Sequence, residues 1–224
     1  NKYFCEFYTP RIIAQKLIDQ FENKELSNPE KTFLDPSCGV GTLLTMLLIK
    51  YCRMNHSENY LSNFIESQIT GFDILPFSIL STKIQLLSTF YFETKCLEKN
   101  PICNVLLKDT LEDNSIEKYS FIIANPPYKK IRQIPTNMGS YDSIIYGHPN
   151  LYSLFLLWSI DKLKKEGSLI FLVPEMLKTG KYNCSIRKKV DESMYIDAVG
   201  LFPEERNLFF DAEQKVMIIK LSNH

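Results

Sequence analysis

Short apolar runs that alternate with helix-like segments constrain the fold of this chain more than any other feature of its sequence. Within most runs the apolar residues follow one another directly, a pattern typical of strands buried on both faces. Such strands form mostly parallel sheets with helices on both faces, so the sequence predicts an α/β fold. The seven predicted strands are residues 32–34, 69–72, 104–107, 121–124, 168–173, 195–201 and 216–221.

Helical patterns occupy many of the intervals between these strands. Thr9-Pro10 predicts a helix start, because threonine can cap free backbone amides and proline suits the first turn. Ile13, Leu17 and Phe21 then follow at helical spacing. Further helices are predicted at residues 43–52, 76–92 and 151–164, and loops at residues 27–31, 55–68, 129–149 and 204–213.

Residues suited to ligand binding follow the first predicted strand. In open α/β sheets ligands bind outside the carboxyl ends of the strands. Here the strand is followed by Asp35-Pro36-Ser37-Cys38-Gly39-Val40-Gly41-Thr42. The glycines allow a tight turn and a close approach of a ligand to the backbone, and Asp35 can accept hydrogen bonds from a ligand amine. An ordinary strand-to-helix turn is the alternative for the two glycines alone.

Two further carboxylates follow the next two strands. Asp73 ends the second strand, where dinucleotide folds place an acid that binds ribose hydroxyls, and Asp109 follows the third strand. The spacing of Asp73 from Gly41 exceeds the usual ~20 residues, and the predicted loop at 55–68 accounts for the difference. Each acid alone is more typical of a solvated strand end. Three carboxylates after three successive strands are less typical of chance and favour a functional role.

The segment Asn125-Pro126-Pro127-Tyr128 follows the fourth strand and has the most distinctive chemistry. An exocyclic amine on an aromatic base is a poor nucleophile, because its lone pair is delocalised into the ring. Two acceptors aimed at its protons, the Asn125 side-chain oxygen and the Pro126 carbonyl, favour a tetrahedral nitrogen and release that lone pair. The prolines stiffen the segment, and Tyr128 offers a flat face for stacking. A rigid turn followed by a core tyrosine is the alternative.

The charge and the ligand-type residues narrow the function further. The chain has 26 Lys and Arg and 26 Asp and Glu, so no global field draws it onto a polyanion, and DNA contact needs local patches or another domain. The six cysteines lack CxxC spacing, which favours reduced thiols in a cytosolic protein. His56, His148 and His224 are scattered and form no ligand pattern. The longest apolar run, residues 151–160, is shorter than the ~20 residues of a membrane span.

Together these motifs resemble the amino-group DNA methyltransferases, in particular the adenine-specific class of restriction–modification systems in which the cofactor motifs precede NPPY. The resemblance implies a Rossmann-like S-adenosylmethionine-dependent methyltransferase fold, with a mostly parallel seven-stranded sheet, one antiparallel strand and helices on both faces. It implies one catalytic domain over residues 1–224. The family's target-recognition domain is missing from the chain, so we expect a fragment of a longer protein.

The resemblance also assigns roles to individual residues. The cofactor-binding residues that it implies are Tyr8, Thr9, Asp35, Ser37, Cys38, Gly39, Gly41, Thr42, Asp73, Ile74, Asp109, Thr110 and Asn125. The catalytic residues that it implies are Asn125, Pro126, Pro127, Tyr128 and Phe202. Tyr128 and Phe202 are expected to stack on the two faces of an extruded adenine. Lys129, Lys130 and Arg132 are candidates for flanking phosphates, with a solvated basic loop as the alternative.

The expected partners follow from the same resemblance. They are S-adenosylmethionine, which leaves as S-adenosylhomocysteine, and double-stranded DNA, without a metal or a membrane. A specificity subunit or a restriction endonuclease is a further expected partner, and the expected compartment is the cytoplasm of a bacterium. Three alternatives remain at this stage: methylation of RNA bases or of a protein glutamine, methylation of cytosine, and a non-catalytic assembly subunit.

Overall fold

The structure, a computed structural model, has two compact units. It describes residues 9–54, 57–132, 135, 139, 141, 144, 150–180, 183–201 and 215–223. One unit is Tyr8–Asp109, here called the N-terminal unit, and the other consists of Thr110–His224 together with Asn1–Phe7, here called the C-terminal unit. Tyr8 and Phe202, two of the predicted site residues, lie outside the described residues.

The N-terminal unit contains three parallel strands in the order β3-β2-β1. They are β1 (Phe33–Asp35), β2 (Ile69–Asp73) and β3 (Val105–Leu107). Asp35 pairs in register with Gly71, and Asp73 pairs with Leu107. The carboxyl ends of the three strands therefore lie side by side. The helices are α1 (Arg11–Ile18), α2 (Asn23–Ser27), α3 (Thr42–Cys52), α4 (Glu58–Asn63), a π-helical turn (Phe64–Gln68) and α5 (Pro76–Thr94).

Aromatic packing forms part of the core of this unit. The Phe33 ring of β1 lies 5.7 Å from the Phe21 ring and 5.6 Å from the Phe64 ring, between centroids. Phe64 in turn stacks on Tyr51 of α3 at 3.9 Å. Phe21, Phe33 and Phe64 are almost completely buried, so this cluster anchors the strand that leads into the Asp35 loop.

The C-terminal unit has four strands in the order β4-β5-β7-β6. They are β4 (Tyr119–Ala124), β5 (Leu163–Pro174), β6 (Met194–Leu201) and β7 (Val216–Asn223). β4 and β5 are parallel, whereas β7 runs antiparallel to both β5 and β6. The helices are a 3-10 turn (Thr110–Glu112), α6 (Leu151–Asp161), α7 (Met176–Thr179) and α8 (Cys184–Ser193).

Burial explains the continuous apolar runs of the C-terminal unit. Every residue of β4 is buried, and so is every residue of α6 from Tyr152 to Ile160. A helix segment that is covered on all sides needs no polar face, so residues 152–160 of α6 are apolar or aromatic except for two small serines. Asn150 caps its start by accepting a hydrogen bond from the Tyr152 amide at 3.4 Å.

The predicted α/β fold with one antiparallel strand is confirmed, and all seven predicted strands are present within the described residues. Several helix and loop predictions were wrong, and α1 ends at Ile18 before the predicted Phe21. The predicted loop at 55–68 contains α4, and α2 extends into the predicted loop at 27–31. The predicted helix at 151–164 ends at Asp161, because Leu163 already pairs with Tyr119 of β4. None of the helices in the described part combines the length and the apolar character that a membrane crossing requires.

Candidate active site

The loop between β1 and α3 is shaped by two glycines with left-handed backbone angles. Gly39 has φ +53° and Gly41 has φ +88°. The Gly41 amide donates to the Cys38 carbonyl at 2.8 Å, which closes the turn, and α3 begins directly afterwards at Thr42. The loop therefore bends back on itself at the carboxyl end of β1, where the predicted cofactor residues Ser37, Cys38 and Gly39 lie.

Asp73 holds this loop against the end of β2. Its Oδ2 accepts a hydrogen bond from the Gly39 amide at 2.9 Å, and its Oδ1 accepts one from the Leu75 amide at 2.9 Å. Each carboxylate oxygen keeps a further lone pair, so the predicted contact with a ribose hydroxyl remains chemically available. The backbone reinforces the arrangement, because the Cys38 amide donates to the Phe72 carbonyl at 2.9 Å.

Asp35 is the buried acid of the site. Its side chain is 1% exposed, and Oδ1 accepts a hydrogen bond from the Ser37 amide at 3.1 Å. Burial raises the pKa of Asp35 to about 8; the Ser37 amide lowers this pKa and the nearby Asp73 charge raises it further. A buried carboxyl group of this kind favours a cationic partner that restores its ionised form.

The raised pKa of Asp35 predicts how the stability of the ligand-free protein depends on pH. Between the unfolded pKa of about 3.9 and the folded pKa, the folded state holds a proton that the unfolded state has released. The free energy of unfolding therefore falls as pH rises from about 4 to about 8, by up to ~1.4 kcal/mol per pH unit from this group. Asp35→Asn cannot titrate, and its amide oxygen still accepts from Ser37. We expect its stability advantage over the wild type to grow from pH 5 to pH 8.

Urea unfolding of both proteins at several pH values measures this difference. The other titrating groups are the same in both proteins, so their contributions to the pH dependence cancel in the comparison. A stability difference that stays constant from pH 5 to pH 8 would show that Asp35 is ionised throughout that range in the folded protein.

The loop has room and polar groups for the ligand that the resemblance implies. Among the described residues the buried Ser37 hydroxyl oxygen has no hydrogen-bond partner. A Cβ placed on Gly39 would meet nothing within 4 Å, so the space beside the backbone is open there. With the buried Asp35 carboxyl, these features fit a ligand that carries an amino group and several hydroxyl groups.

Two residues of α5 that the sequence analysis missed hold the loop from the other side. The Thr82 hydroxyl donates to the Gly39 carbonyl at 2.9 Å, and the Gln85 side-chain amide donates to the Val40 carbonyl at 2.6 Å. Burial raises the pKa of the neighbouring Cys38 thiol far above its usual value, so this cysteine stays uncharged. The sequence signal was a row of residues at four-residue spacing along α5. This row begins with two small polar residues, Ser78 and Thr82.

The remaining cofactor candidates of the sequence analysis lie at different points of the chain. Ile74 is 56% exposed at the end of β2, and Asp109 is exposed after β3, where the Lys108 amide donates to the Asp73 carbonyl at 2.9 Å. Thr110 is buried at the start of the C-terminal unit, and Thr9 is partly buried just before α1.

In the C-terminal unit, Asn125 to Tyr128 follow the last residue of β4. Pro126 is buried, whereas Asn125, Pro127 and Tyr128 are partly buried. The Tyr128 hydroxyl lies 3.0 Å from Asn125 Oδ1 and 3.1 Å from the Leu172 carbonyl of β5. Burial raises the pKa of the Tyr128 phenol well above its usual value, so the hydroxyl keeps its proton at any working pH.

A second tyrosine supports Tyr128. The Tyr152 ring of α6 meets the Tyr128 ring edge to face at 6.1 Å between centroids. The Tyr152 hydroxyl donates to Asn183 Oδ1 at 3.3 Å, and Asn183 Nδ2 donates to the Met176 carbonyl at 3.0 Å. Sequence reasoning missed this network, because Asn183 lies more than 50 residues from Tyr128 and carries no local motif.

The basic candidates Lys129, Lys130 and Arg132 are exposed. The Lys129 carbonyl accepts a hydrogen bond from the Leu151 amide at 2.8 Å, and Lys130 pairs with Asn150 across an isolated antiparallel bridge. These contacts hold Lys129 and Lys130, directly after the NPPY motif, against Asn150 and Leu151.

This chain matches known proteins along its full length. The profile of the N-6 DNA Methylase family matches residues 1–224. The chain is similar to the type II methyltransferase M.AccI of Acinetobacter calcoaceticus, with 27% identity over all of this chain and 37% of that protein. It spans 37%, 39%, 43% and 49% of the four curated relatives that it matches, less than half in each case.

Solved structures have the same fold. A protein of Listeria monocytogenes assigned to the class I S-adenosylmethionine-dependent methyltransferases matches with a TM-score of 0.66 and 19% identity, over 95% of this chain and 58% of that chain. The DrdV–DNA complex matches with a TM-score of 0.80 and 18% identity, over 97% of this chain and 26% of that chain. The methyltransferase fold that the resemblance implied is thereby confirmed.

Proposed function

The chain belongs to the N-6 DNA Methylase family, and from that premise we propose that it transfers a methyl group from S-adenosylmethionine to the exocyclic amine of adenine in double-stranded DNA. The observation that carries the proposal is the segment Asn125-Pro126-Pro127-Tyr128 directly after the fully buried strand β4. A packed strand holds the acceptors of this segment in fixed positions, which is what electrostatic preorganisation requires.

In this proposal Asn125 and Pro126 activate the amine. Asn125 Oδ1 and the Pro126 carbonyl accept hydrogen bonds from its two N–H groups and orient the nitrogen lone pair toward the methyl group. The bond from nitrogen to the methyl carbon forms as the bond from sulfur to carbon breaks, and the amine then loses one proton to solvent. Most of the acceleration comes from positioning and from these acceptors, and the proposal requires neither a metal nor a covalent intermediate.

The N-terminal unit supplies the proposed cofactor site. The Asp35 carboxylate and the buried Ser37 hydroxyl bind the amino acid end of the cofactor, and Asp73 binds its ribose. Ile74 and Asp109 contact its adenine, and Thr9 lies toward its methionine end. S-adenosylmethionine supplies an electrophilic methyl group on a sulfonium, whose departure as a neutral thioether needs no further assistance.

DNA binding in this proposal rests on local groups and on further protein. The target adenine leaves the duplex and stacks on Tyr128, which is worth ~1–3 kcal/mol. Lys129, Lys130 and Arg132 contact the flanking phosphates. Because the whole chain is electrically neutral, we propose that the target sequence is read by protein outside residues 1–224, in the same protein or in a specificity subunit. A restriction–modification system in the cytoplasm of a bacterium is the proposed setting.

Transfer of a radiolabelled methyl group tests the proposal. The full-length protein is incubated with labelled S-adenosylmethionine and, separately, with unmethylated plasmid DNA, total RNA and a protein extract. The proposal expects label in DNA alone and, after digestion, in N6-methyladenine alone. Label only in RNA, in a glutamine side chain or in cytosine would replace the proposal with the corresponding alternative. Binding of the cofactor without transfer to any substrate would favour a non-catalytic assembly role.

A further inference from the structure

The Tyr128 hydroxyl has a position that stacking on a base does not require. It lies between two oxygen acceptors, Asn125 Oδ1 at 3.0 Å and the Leu172 carbonyl at 3.1 Å. A phenol has one hydrogen to donate, so it satisfies one of these acceptors at a time. Stacking needs only the face of the ring, and a phenylalanine would provide the same face.

The Leu172 carbonyl is a fixed anchor for this hydroxyl. Leu172 is completely buried near the carboxyl end of β5 and pairs with Ile218 of β7. The edge-to-face contact with Tyr152 restrains the ring as well. The Tyr128 oxygen is therefore held in place, and any side chain that bonds to it is oriented by it.

The group oriented in this way is the Asn125 carboxamide. A carboxamide has an oxygen arm and an NH2 arm of nearly equal shape, and only the oxygen can accept a hydrogen bond from an amine. The oxygen has two lone pairs, so it can accept from Tyr128 and from a substrate amine together. When the amine competes for the oxygen, the Tyr128 hydrogen has Leu172 as its second acceptor.

We propose that the Tyr128 hydroxyl is a positioning group that keeps the oxygen arm of Asn125 in the orientation needed to accept a hydrogen bond from the target amine. This inference rests on the proposed function. It assigns Tyr128 a second role beside stacking, and that role acts through Asn125.

Tyr128→Phe tests the proposal, because it keeps the ring and removes the hydroxyl. We expect kcat to fall about three- to tenfold, the size of a neutral hydrogen bond, with KM for DNA and the affinity for S-adenosylmethionine unchanged. The matched control is Tyr91→Phe in the N-terminal unit, where the Tyr91 hydroxyl donates to Asn100 Oδ1 at 3.1 Å. It removes the same kind of hydrogen bond, and we expect it to leave kcat unchanged.

A substitution at Asn125 distinguishes an effect of Tyr128 on the orientation of the Asn125 carboxamide from a general support of the loop. Asn125→Asp has oxygen on both arms, so its orientation no longer matters. In this background Tyr128→Phe should change kcat less than twofold. An equal fall in the wild-type and Asn125→Asp backgrounds, or an unchanged kcat in Tyr128→Phe alone, would overturn the inference. Wild-type protein that transfers no methyl group to DNA would instead refute the proposed function.

A measurement that needs no methyl transfer tests the inference if a variant is too slow to assay. Protein labelled with 15N-asparagine gives side-chain NH2 signals for Asn125, which are assigned by their absence in Asn125→Asp. We expect these signals to shift and broaden in Tyr128→Phe and to stay unchanged in Tyr91→Phe. Signals that are identical in wild type and Tyr128→Phe would overturn the inference, whatever the activity.

Discussion

Asn125→Ala should lower kcat for methyl transfer by about 10²–10³-fold, the usual loss when one preorganised hydrogen-bonding group is removed from a transition state. The substitution takes away one of the two proposed acceptors and leaves the strand that precedes it unchanged. Affinity for S-adenosylmethionine should fall no more than a few-fold, because most of the proposed cofactor contacts lie in the N-terminal unit. Single-turnover transfer and calorimetric titration of the cofactor measure the two quantities.

Asn104→Ala is the matched control for this prediction. Asn104 is also partly buried, and its carboxamide donates to the Thr70 hydroxyl at 3.0 Å just before β3. Its removal costs a similar hydrogen bond, so we expect some loss of stability and an unchanged kcat. If Asn125→Ala transfers methyl groups as fast as this control, Asn125 has no catalytic role.

The strand pattern and the residues that follow the strands could be predicted from sequence, because both depend on local chemistry. β4 is buried on both faces, and such a strand needs apolar residues at consecutive positions, as in residues 121–124. The order of Asp35, Asp73 and Asp109 after successive strands predicts a common edge, since parallel strands align their carboxyl ends. The register of Asp35 with Gly71 and of Asp73 with Leu107 agrees with that reasoning.

Features that depend on long-range packing could not be predicted in this way. α4 has one buried apolar residue, Leu61, so its sequence lacks a helical stripe. The end of α6 is set by the pairing of Leu163 with Tyr119, about 40 residues away. Thr82 and Gln85 donate hydrogen bonds from α5 to the loop between β1 and α3, and the polar stripe that contains Thr82 does not tell which segment it contacts.

The two glycines of the loop between β1 and α3 show how one motif can meet two different physical requirements. Both have left-handed φ values, at which an alanine costs ~1–2 kcal/mol. Their surroundings differ. A Cβ on Gly41 would lie 2.8 Å from the Thr82 hydroxyl oxygen and 2.9 Å from the Thr82 Cα, whereas a Cβ on Gly39 would meet nothing within 4 Å. Gly41 therefore permits the packing of α5, and Gly39 leaves space for a ligand.

Gly41→Ala should destabilise the fold strongly, because its methyl group adds a clash with the backbone of α5 to the cost of the left-handed conformation. Overpacking of this kind costs ~1–3 kcal/mol, so we expect a total loss of ~2–5 kcal/mol in the free energy of unfolding. That is a large part of the ~5–15 kcal/mol available to a typical domain. Urea unfolding of the ligand-free protein measures the loss.

Gly39→Ala should lose little stability and much of its affinity for S-adenosylmethionine. Its stability should fall by only the ~1–2 kcal/mol of backbone strain, because no neighbour is displaced. Its methyl group would stand in the open space that the proposed cofactor occupies, so affinity for S-adenosylmethionine should fall about 10–100-fold, as for an overpacked contact. Calorimetric titration at a temperature where both variants are folded compares them directly. Equal effects on stability and on binding in the two variants would show that the space beside Gly39 is not part of the cofactor site.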